Sequence, residues 1–145
     1  MPKFKLESLL QHRKYIEEIF QCELADTLQA LVEKRKSLER MKADRDRIQN
    51  DLHQKLKNGI DAATMLHFHE YLNRLALDMT AQKARVAEAE KNLEQKRNEL
   101  VEAVKNRKIM DKLKDKQLAA EVDRLQKNEQ NFMNDVAISR HLRSR

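Results

Sequence analysis

Histidine, cysteine and the carboxylates most often carry catalysis or bind metals, and here they form no recognisable site. His67 and His69 are the only histidine cluster. At a spacing of two they point to different sides of a helix, whereas helical zinc-binding pairs are four apart. Carboxylates such as Glu90 and Glu94 fall on a predicted exposed helical row. We therefore expect surface groups, with no catalytic residue and no metal.

The single cysteine and the single glycine exclude two further kinds of site. Cys22 is the only cysteine, so a disulfide within the chain is impossible, and we expect a reduced thiol in a reducing compartment. Gly59 is the only glycine, which is too few for a glycine-rich phosphate-binding loop. The two-helix hairpin that the sequence predicts also encloses no cleft that excludes water. The expectation is a protein that is not an enzyme and has no cofactor.

Basic charge is the more informative feature, because the chain has a formal net charge of +6 and much of the surplus is clustered. Residues 105–116 contain six basic residues and only two acids, Asp111 and Asp115. This stretch is either a solvated face partly paired with those acids or a docking surface for an acidic protein partner. Antiparallel pairing would add two basic residues from the start of the chain. The candidate docking residues are Arg13, Lys14, Lys105, Arg107, Lys108, Lys112 and Lys114.

Nucleic acid and membrane are less favoured partners for this charge. A basic-zipper reader needs a continuous basic region that enters a heptad repeat from one end, and here acids interrupt a stretch inside a long helix. No aromatic residues interleave with it for base stacking. No apolar run approaches the ~18 residues that span a bilayer. The first five residues also lack the apolar stretch of a signal peptide, so we expect a cytoplasmic protein with no nucleic-acid partner.

The elements that present these residues are predicted to be two long helices. Charged residues make up 37% of the chain, and a single proline, Pro2, accompanies the single glycine. The pair Asn58-Gly59 can end a helix through a positive φ, and Asp61 or Thr64 can cap the next one. We predict an all-α, antiparallel two-helix coiled-coil hairpin with a longer, overhanging second helix. It forms one domain over residues 1–145, with helices at about 4–57 and 62–142 and a turn at 58–61.

Apolar spacing supports this architecture. From Phe68 to Ala103, seam positions of the second helix alternate steps of four and three, which indicates a heptad repeat and a left-handed supercoil. The first helix repeats similarly, and its predicted seam includes Leu28 and Leu56. Cationic residues in the seam predict modest intrinsic stability, because each replaces a buried aliphatic contact. They are Arg35, Arg45, Lys96 and Arg107.

The end of the second helix is predicted to lack a partner within the chain. Because the second helix is longer, residues after about Lys116 overhang the first helix. They still carry an apolar stripe, and such an exposed stripe indicates an external partner. Its members are Leu118, Val122, Leu125, Phe132 and Val136.

The order of residues in the second helix resembles a known family. The stretches 86–100, 102–114 and 129–140 are similar to FliJ, the small cytoplasmic protein of the flagellar type III export apparatus. The last of these contains the family's Glu-Gln, Asp, Ala, Arg pattern. The turn Asn58-Gly59-Ile60, followed by Tyr71-Leu72, is also similar. The likeness covers most of residues 58–140, whereas the first helix matches mainly in length and polarity.

The resemblance implies a hairpin similar to the central stalk of rotary ATPases. It implies insertion into the hexameric export ATPase, FliI, which the basic surface would face. It also implies contacts with export chaperones and with the membrane gate protein FlhA, for which Tyr71 and Leu75 are candidates. The location would be the cytoplasmic face of the inner membrane at the flagellar base, reached through partners only. Alternatives are the equivalent stalk of a virulence type III secretion system and a generic coiled-coil scaffold or prefoldin-like chaperone.

Overall fold

The computed structural model describes residues 4–144 and contains two helices. Helix α1 spans Glu7–Asn58 and helix α2 spans Ala62–Arg143. They have 52 and 82 residues, and the part of the chain that the structure describes contains no strand. The predicted all-α hairpin with a longer second helix is confirmed.

The chain reverses at the predicted turn. Gly59 has φ of +86°, the left-handed conformation that ends a helix and that other residues adopt only with strain. Asp61 then caps α2, because its carboxylate accepts hydrogen bonds from the hydroxyl and the backbone N–H of Thr64. Both bonds hold the pKa of Asp61 below its ordinary value, and the bond from the Thr64 hydroxyl has the larger effect. Of the two predicted caps, Asp61 is the one that acts.

The described chain divides into two compact units, each built from parts of both helices. We call Phe20–Leu100 the turn unit, and the residues up to Ile19 with those from Val101 onward the terminal unit. In the turn unit, Glu23 bonds Lys96 at 3.2 Å and Arg35 bonds Glu90 at 3.0 Å. From the first pair to the second, the residue number rises on α1, from 23 to 35, and falls on α2, from 96 to 90. The helices are therefore antiparallel within this unit.

The core of the turn unit follows the predicted heptad seam. Seven buried apolar residues form one cluster: Leu31, Leu38, Leu75, Met79, Val86, Ala89 and Leu93. Gln82 is the buried polar residue in this seam, at 5% exposure, and its Nε2 donates to the Lys34 carbonyl at 3.0 Å. A buried amide at a seam position favours one register of two helices over its alternatives.

Leu28 and Leu56 were predicted in the seam of α1, and the structure contradicts both positions. Leu28 is 45% exposed and Leu56 is 44% exposed. The inward flank of α1 instead follows Thr27, Lys34, Met41 and Ile48, which are seven residues apart and partly buried. A neighbouring residue is rotated by about 100°, so Leu28 turns away from α2. The next position in the same repeat is Lys55. Its Nζ lies 5.0 Å from the Phe68 ring centre, so Lys55 and not Leu56 is the residue near that ring.

The terminal unit has a smaller core of Phe4, Leu10 and Met110. Phe4 was predicted to begin the first helix, but α1 begins three residues later, at Glu7. The Glu7 N–H donates to the Phe4 carbonyl at 3.1 Å, and the chain before it turns so that Phe4 is 7% exposed. The later start of α1 thus accompanies burial of the Phe4 ring.

The predicted stripe at the end of α2 is exposed. Gln117 still accepts a hydrogen bond from the Lys5 N–H at 3.3 Å. Beyond it, every described residue of α2 is exposed except Glu121 and Val136, which are half-buried. Phe132 is 69% exposed. The predicted overhang of the second helix is therefore confirmed.

Candidate partner-binding surfaces

Arg107 joins the two helices of the terminal unit. Its Nε donates to Glu17 Oε2 at 2.5 Å, and its Nη1 donates to Asp111 Oδ2 at 2.6 Å. The arginine and Glu17 side chains are 26% and 13% exposed, so their charges are partly shielded from water. Both carboxylates raise the pKa of the Arg107 guanidinium, Glu17 more than Asp111. Arg107 was predicted to dock a partner, and the structure places it in an internal ion pair.

Lys114 has a similar position one helical repeat further on. Its Nζ lies 3.2 Å from Glu7 Oε2 on α1. The amide of Gln11 and then Lys114 hold the pKa of Glu7 below its ordinary value. Arg107 and Lys114 are seven residues apart, which returns them to the same face of α2. That face packs on α1, so both residues connect the helices.

Lys108 and Lys112 have a different environment. Both are exposed, and neither forms an ion pair within 4 Å with any residue that the structure describes. They are four residues apart and so occupy one row, which Lys116 continues, also exposed and without an ion pair there. Lys105 beside them is held at 3.5 Å by Glu102 of the same helix. This outer row therefore concentrates lysines that have no ion-pair partner among the described residues.

The α1 residues of the predicted basic surface lie on the same unit. Arg13 and Lys14 are half-buried and lie between Glu7 and Glu17, the two acids that bond α2. Neither basic side chain forms an ion pair among residues 4–144. The charge of Lys14 contributes to the low pKa of Glu7. Arg13 and Lys14 thus lie on α1 between the two residues that bond Arg107 and Lys114.

Two exposed apolar residues beside the lysine row were missed in the sequence. Ile109 is 56% exposed and Leu113 is 42% exposed. Their signal was readable, because each lies off the heptad seam where a solvated helix usually carries a polar residue.

Tyr71, one of the two gate-contact candidates, is 41% exposed at its predicted place beside the seam. Its hydroxyl donates to Asp44 on α1, and Arg47 also donates to that carboxylate. Both bonds lower the pKa of Asp44, and the bond from Tyr71 has the larger effect. The same bond and burial raise the pKa of the Tyr71 hydroxyl. The ring edge therefore faces solvent while its polar end connects the helices.

Leu75, the second gate-contact candidate, belongs to the core. It is 8% exposed and packs with Leu31, Leu38 and Met79 in the turn unit. The structure thus places Tyr71 on the surface and Leu75 in the core of the turn unit. Leu66 and Leu77, at 58% and 73% exposure, are exposed apolar residues of α2 that the sequence reading also missed.

The remaining residue types of chemical interest lie at the surface. Cys22, His67 and His69 are exposed. Among residues 4–144, no group of three or more histidine, cysteine, aspartate and glutamate residues could hold a metal ion. The same residues contain no helix long and apolar enough to cross a membrane.

The fold and these surfaces define a class: a two-helix coiled coil whose surface carries exposed apolar side chains and exposed lysines that form no ion pair with the residues that the structure describes. The chain belongs to the FliJ family, since the family model described as flagellar FliJ protein matches residues 2–145. Membership makes it a component of the type III export machinery. No curated protein sequence matches the chain significantly.

A solved structure has the same fold. It is described as a YscO homolog, CT670, from Chlamydia trachomatis. The two chains share 21% sequence identity, the alignment covers 100% of each, and the TM-score is 0.67. At this identity the likeness concerns the fold alone.

Proposed function

We propose that this protein is a non-enzymatic stalk of the flagellar export ATPase, FliI, which promotes assembly and activity of the hexameric ring. One observation carries the proposal: a chain matched by the FliJ model over residues 2–145 has an outward row of lysines that form no ion pair with any residue that the structure describes. Such a row favours an acidic protein surface, because neutralising it within a contact gains both attraction and orientation.

The way a stalk would act follows from symmetry. A single hairpin inside a six-fold ring meets different subunits with different residues, so it cannot contact all of them alike. It needs only a higher affinity for one subunit conformation than for another to bias their populations. Nucleotide hydrolysis then stays with the ring. The cross-helix bonds of Arg107 and Lys114 support such a role, because they keep the two helices together while the outer lysines engage the partner.

A second contact, with the export gate FlhA, is proposed for the turn unit. Tyr71 is the exposed candidate, and its ring could be covered by a partner without moving the backbone. Leu75 lies in the core, so its participation requires the helices to separate locally. We therefore expect Tyr71 to form the first contact. Tyr71→Ala should weaken gate binding without loss of helicity, and unchanged binding of that variant would remove Tyr71 from this surface.

We further propose that the protein works in the cytoplasm, at the membrane face of the flagellar base, and reaches the membrane only through its partners. Export chaperones are its other proposed partners. The flagellar apparatus is favoured over a virulence secretion system, since the family model that matches is the flagellar one. A generic scaffold or prefoldin-like chaperone differs in a measurable way, because neither stimulates a hexameric ATPase.

The docking surface is tested by charge reversal at Lys108 and Lys112. The double variant Lys108→Glu/Lys112→Glu should weaken stimulation of the ATPase while its helicity stays unchanged, since both side chains are exposed and form no ion pair. A matched control is Lys83→Glu/Lys91→Glu, which makes the same charge change at exposed lysines of the turn unit. Equal stimulation by the two double variants would contradict the assignment of this surface.

A further inference from the structure

The outer face of α2 in the terminal unit carries apolar residues as well as charges. Val101, Lys105, Ile109 and Leu113 are spaced by four residues and so follow one row along the helix. The lysine row of Lys108, Lys112 and Lys116 runs beside it. Each of these side chains is exposed. The two rows together form a mixed face, which we call the basic–apolar ridge.

We propose that Ile109 and Leu113 are the apolar anchors of the ATPase contact, and that the ring wall receives them in an apolar groove bordered by carboxylates. This inference rests on the proposed function and adds the chemistry of the partner surface. Ile109 has Lys105 four residues before it and Lys112 three after it, and Leu113 has Lys116 three after it. Side chains at these spacings are neighbours on a helix surface. An occupant that covers the two apolar residues must therefore meet lysines on both sides.

The arrangement favours a protein groove over a membrane surface. A helix that lies in a bilayer interface needs a broad apolar face with the basic residues on the opposite side. Here Ile109 and Leu113 lie among lysines, while the face containing Met110 and Arg107 is turned toward α1. Little apolar area is left to enter a bilayer. A groove with an acidic rim can match an apolar centre and a charged border together.

The two rows should contribute to binding in different ways. Lysine charges attract an acidic surface over a distance of about 10 Å at 0.1 M salt, so they govern the association rate and its salt dependence. Apolar anchors act only after contact, when water leaves them, and so govern dissociation. These separate signatures allow the role of Ile109 and Leu113 to be measured independently of the lysines.

The test compares binding of the full chain and its variants to the hexameric export ATPase at several salt concentrations. Ile109→Gln and Leu113→Gln keep the charge and use a good helix former. We expect each to weaken binding by about tenfold, mainly through faster dissociation, with an unchanged salt slope. Lys108→Gln/Lys112→Gln should flatten the salt slope. Leu77→Gln, at an exposed leucine of the turn unit, is the matched control and should bind like the unchanged chain.

The outcomes separate the inference from the function on which it rests. Failure of the unchanged chain to bind the ATPase at any salt concentration would remove the proposed function. Normal binding by Ile109→Gln and Leu113→Gln, with weaker binding by the lysine variant, would overturn the apolar anchors alone. Vesicles with about one quarter phosphatidylglycerol serve as a second probe. Vesicle binding that depends on Ile109 and Leu113 would assign the ridge to a lipid surface and overturn the protein groove.

Discussion

Arg107 donates to Glu17 across the two helices at 2.5 Å, while Lys108, the next residue, is exposed and forms no ion pair in the described chain. Adjacent residues on one helix differ by about 100° in direction, so one can face the neighbouring helix and the other solvent. The two cations therefore have different roles despite lying together in the sequence. Arg107 connects α1 and α2, and Lys108 is available to a partner.

This contrast predicts opposite effects of the same substitution. Arg107→Gln leaves Glu17 partly buried without its partner, so we expect a lower midpoint of thermal unfolding. Lys108→Gln should leave the midpoint unchanged, because an exposed lysine without an ion pair contributes little to stability. Circular dichroism at 222 nm during heating measures both variants. Equal midpoints for the two would contradict the division between an internal and an outward cation.

Core packing in the turn unit is tested by a pair of leucines. Leu31 is 1% exposed and Leu77 is 73% exposed. Leu31→Ala should lower the free energy of unfolding by about 2–4 kcal/mol, since it removes buried contacts and leaves a cavity. Leu77→Ala should change it by less than about 0.5 kcal/mol. Urea unfolding monitored by circular dichroism decides the matter, and a comparable loss in both variants would argue against the assigned seam.

The buried amide of Gln82 has a predicted cost. The Lys34 carbonyl that it bonds also lies within α1 and has an amide partner four residues on, so replacing the glutamine strands no acceptor. Gln82→Leu should stabilise the hairpin by about 1 kcal/mol, because an apolar side chain suits the seam better. The same change should weaken the preference for one register. Disulfide trapping between cysteines introduced at Ala30 and Ala89 would report that loss as slower or mixed cross-linking.

The opposite result, a less stable Gln82→Leu variant, would contradict this prediction. Destabilisation by Gln82→Leu would show that the bonds to Lys34 and Arg85 outweigh the cost of burying the amide. Gln82→Ala is the companion variant. It removes the amide without adding apolar volume, and so separates the lost bonds from the gained packing.

The Tyr71–Asp44 bond predicts a specific pH dependence. Asp44 has a lowered pKa in the folded protein, so its contribution to stability is complete above its unfolded pKa of about 4. That contribution is lost as the pH falls through the folded value. Tyr71→Phe removes the largest cause of the shift, so the pKa of Asp44 should rise toward its ordinary value. Carbon-detected NMR titration of the Asp44 carboxyl measures it directly.

A midpoint for Asp44 that does not move in Tyr71→Phe would show that Arg47 alone sets the carboxylate's pKa. The tyrosine could then be replaced without an effect on acid stability.

The sequence predicted the turn and the core of the turn unit because both follow strong local rules. A single Asn-Gly pair predicted the turn, and Gly59 has the positive φ that the rule requires. The heptad from Leu75 to Leu93 predicted the core. Side-chain partners across the helices are harder to predict. Alternation of three and four allows either Thr27 or Leu28 to face inward, and the choice depends on positions further along the helix.

The candidate site was predicted only at the level of charge. The 105–116 stretch identified a basic surface, but periodicity alone did not separate Arg107 and Lys114, which bond acids on α1, from Lys108 and Lys112. That separation depends on which acids of α1 come opposite. The role of Leu75 was also not settled by the sequence. Its seam spacing and its family resemblance pointed to different roles, and the structure places its side chain in the core.

The stalk function itself is tested most directly by the ATP hydrolysis rate of the export ATPase from the same flagellar system, measured across concentrations of this protein. The account predicts a saturable rise in rate that accompanies formation of hexameric rings, seen by mass photometry in the same samples. A rate that stays flat, with the ATPase active and this protein fully helical by circular dichroism, would contradict the stalk function and favour a scaffold.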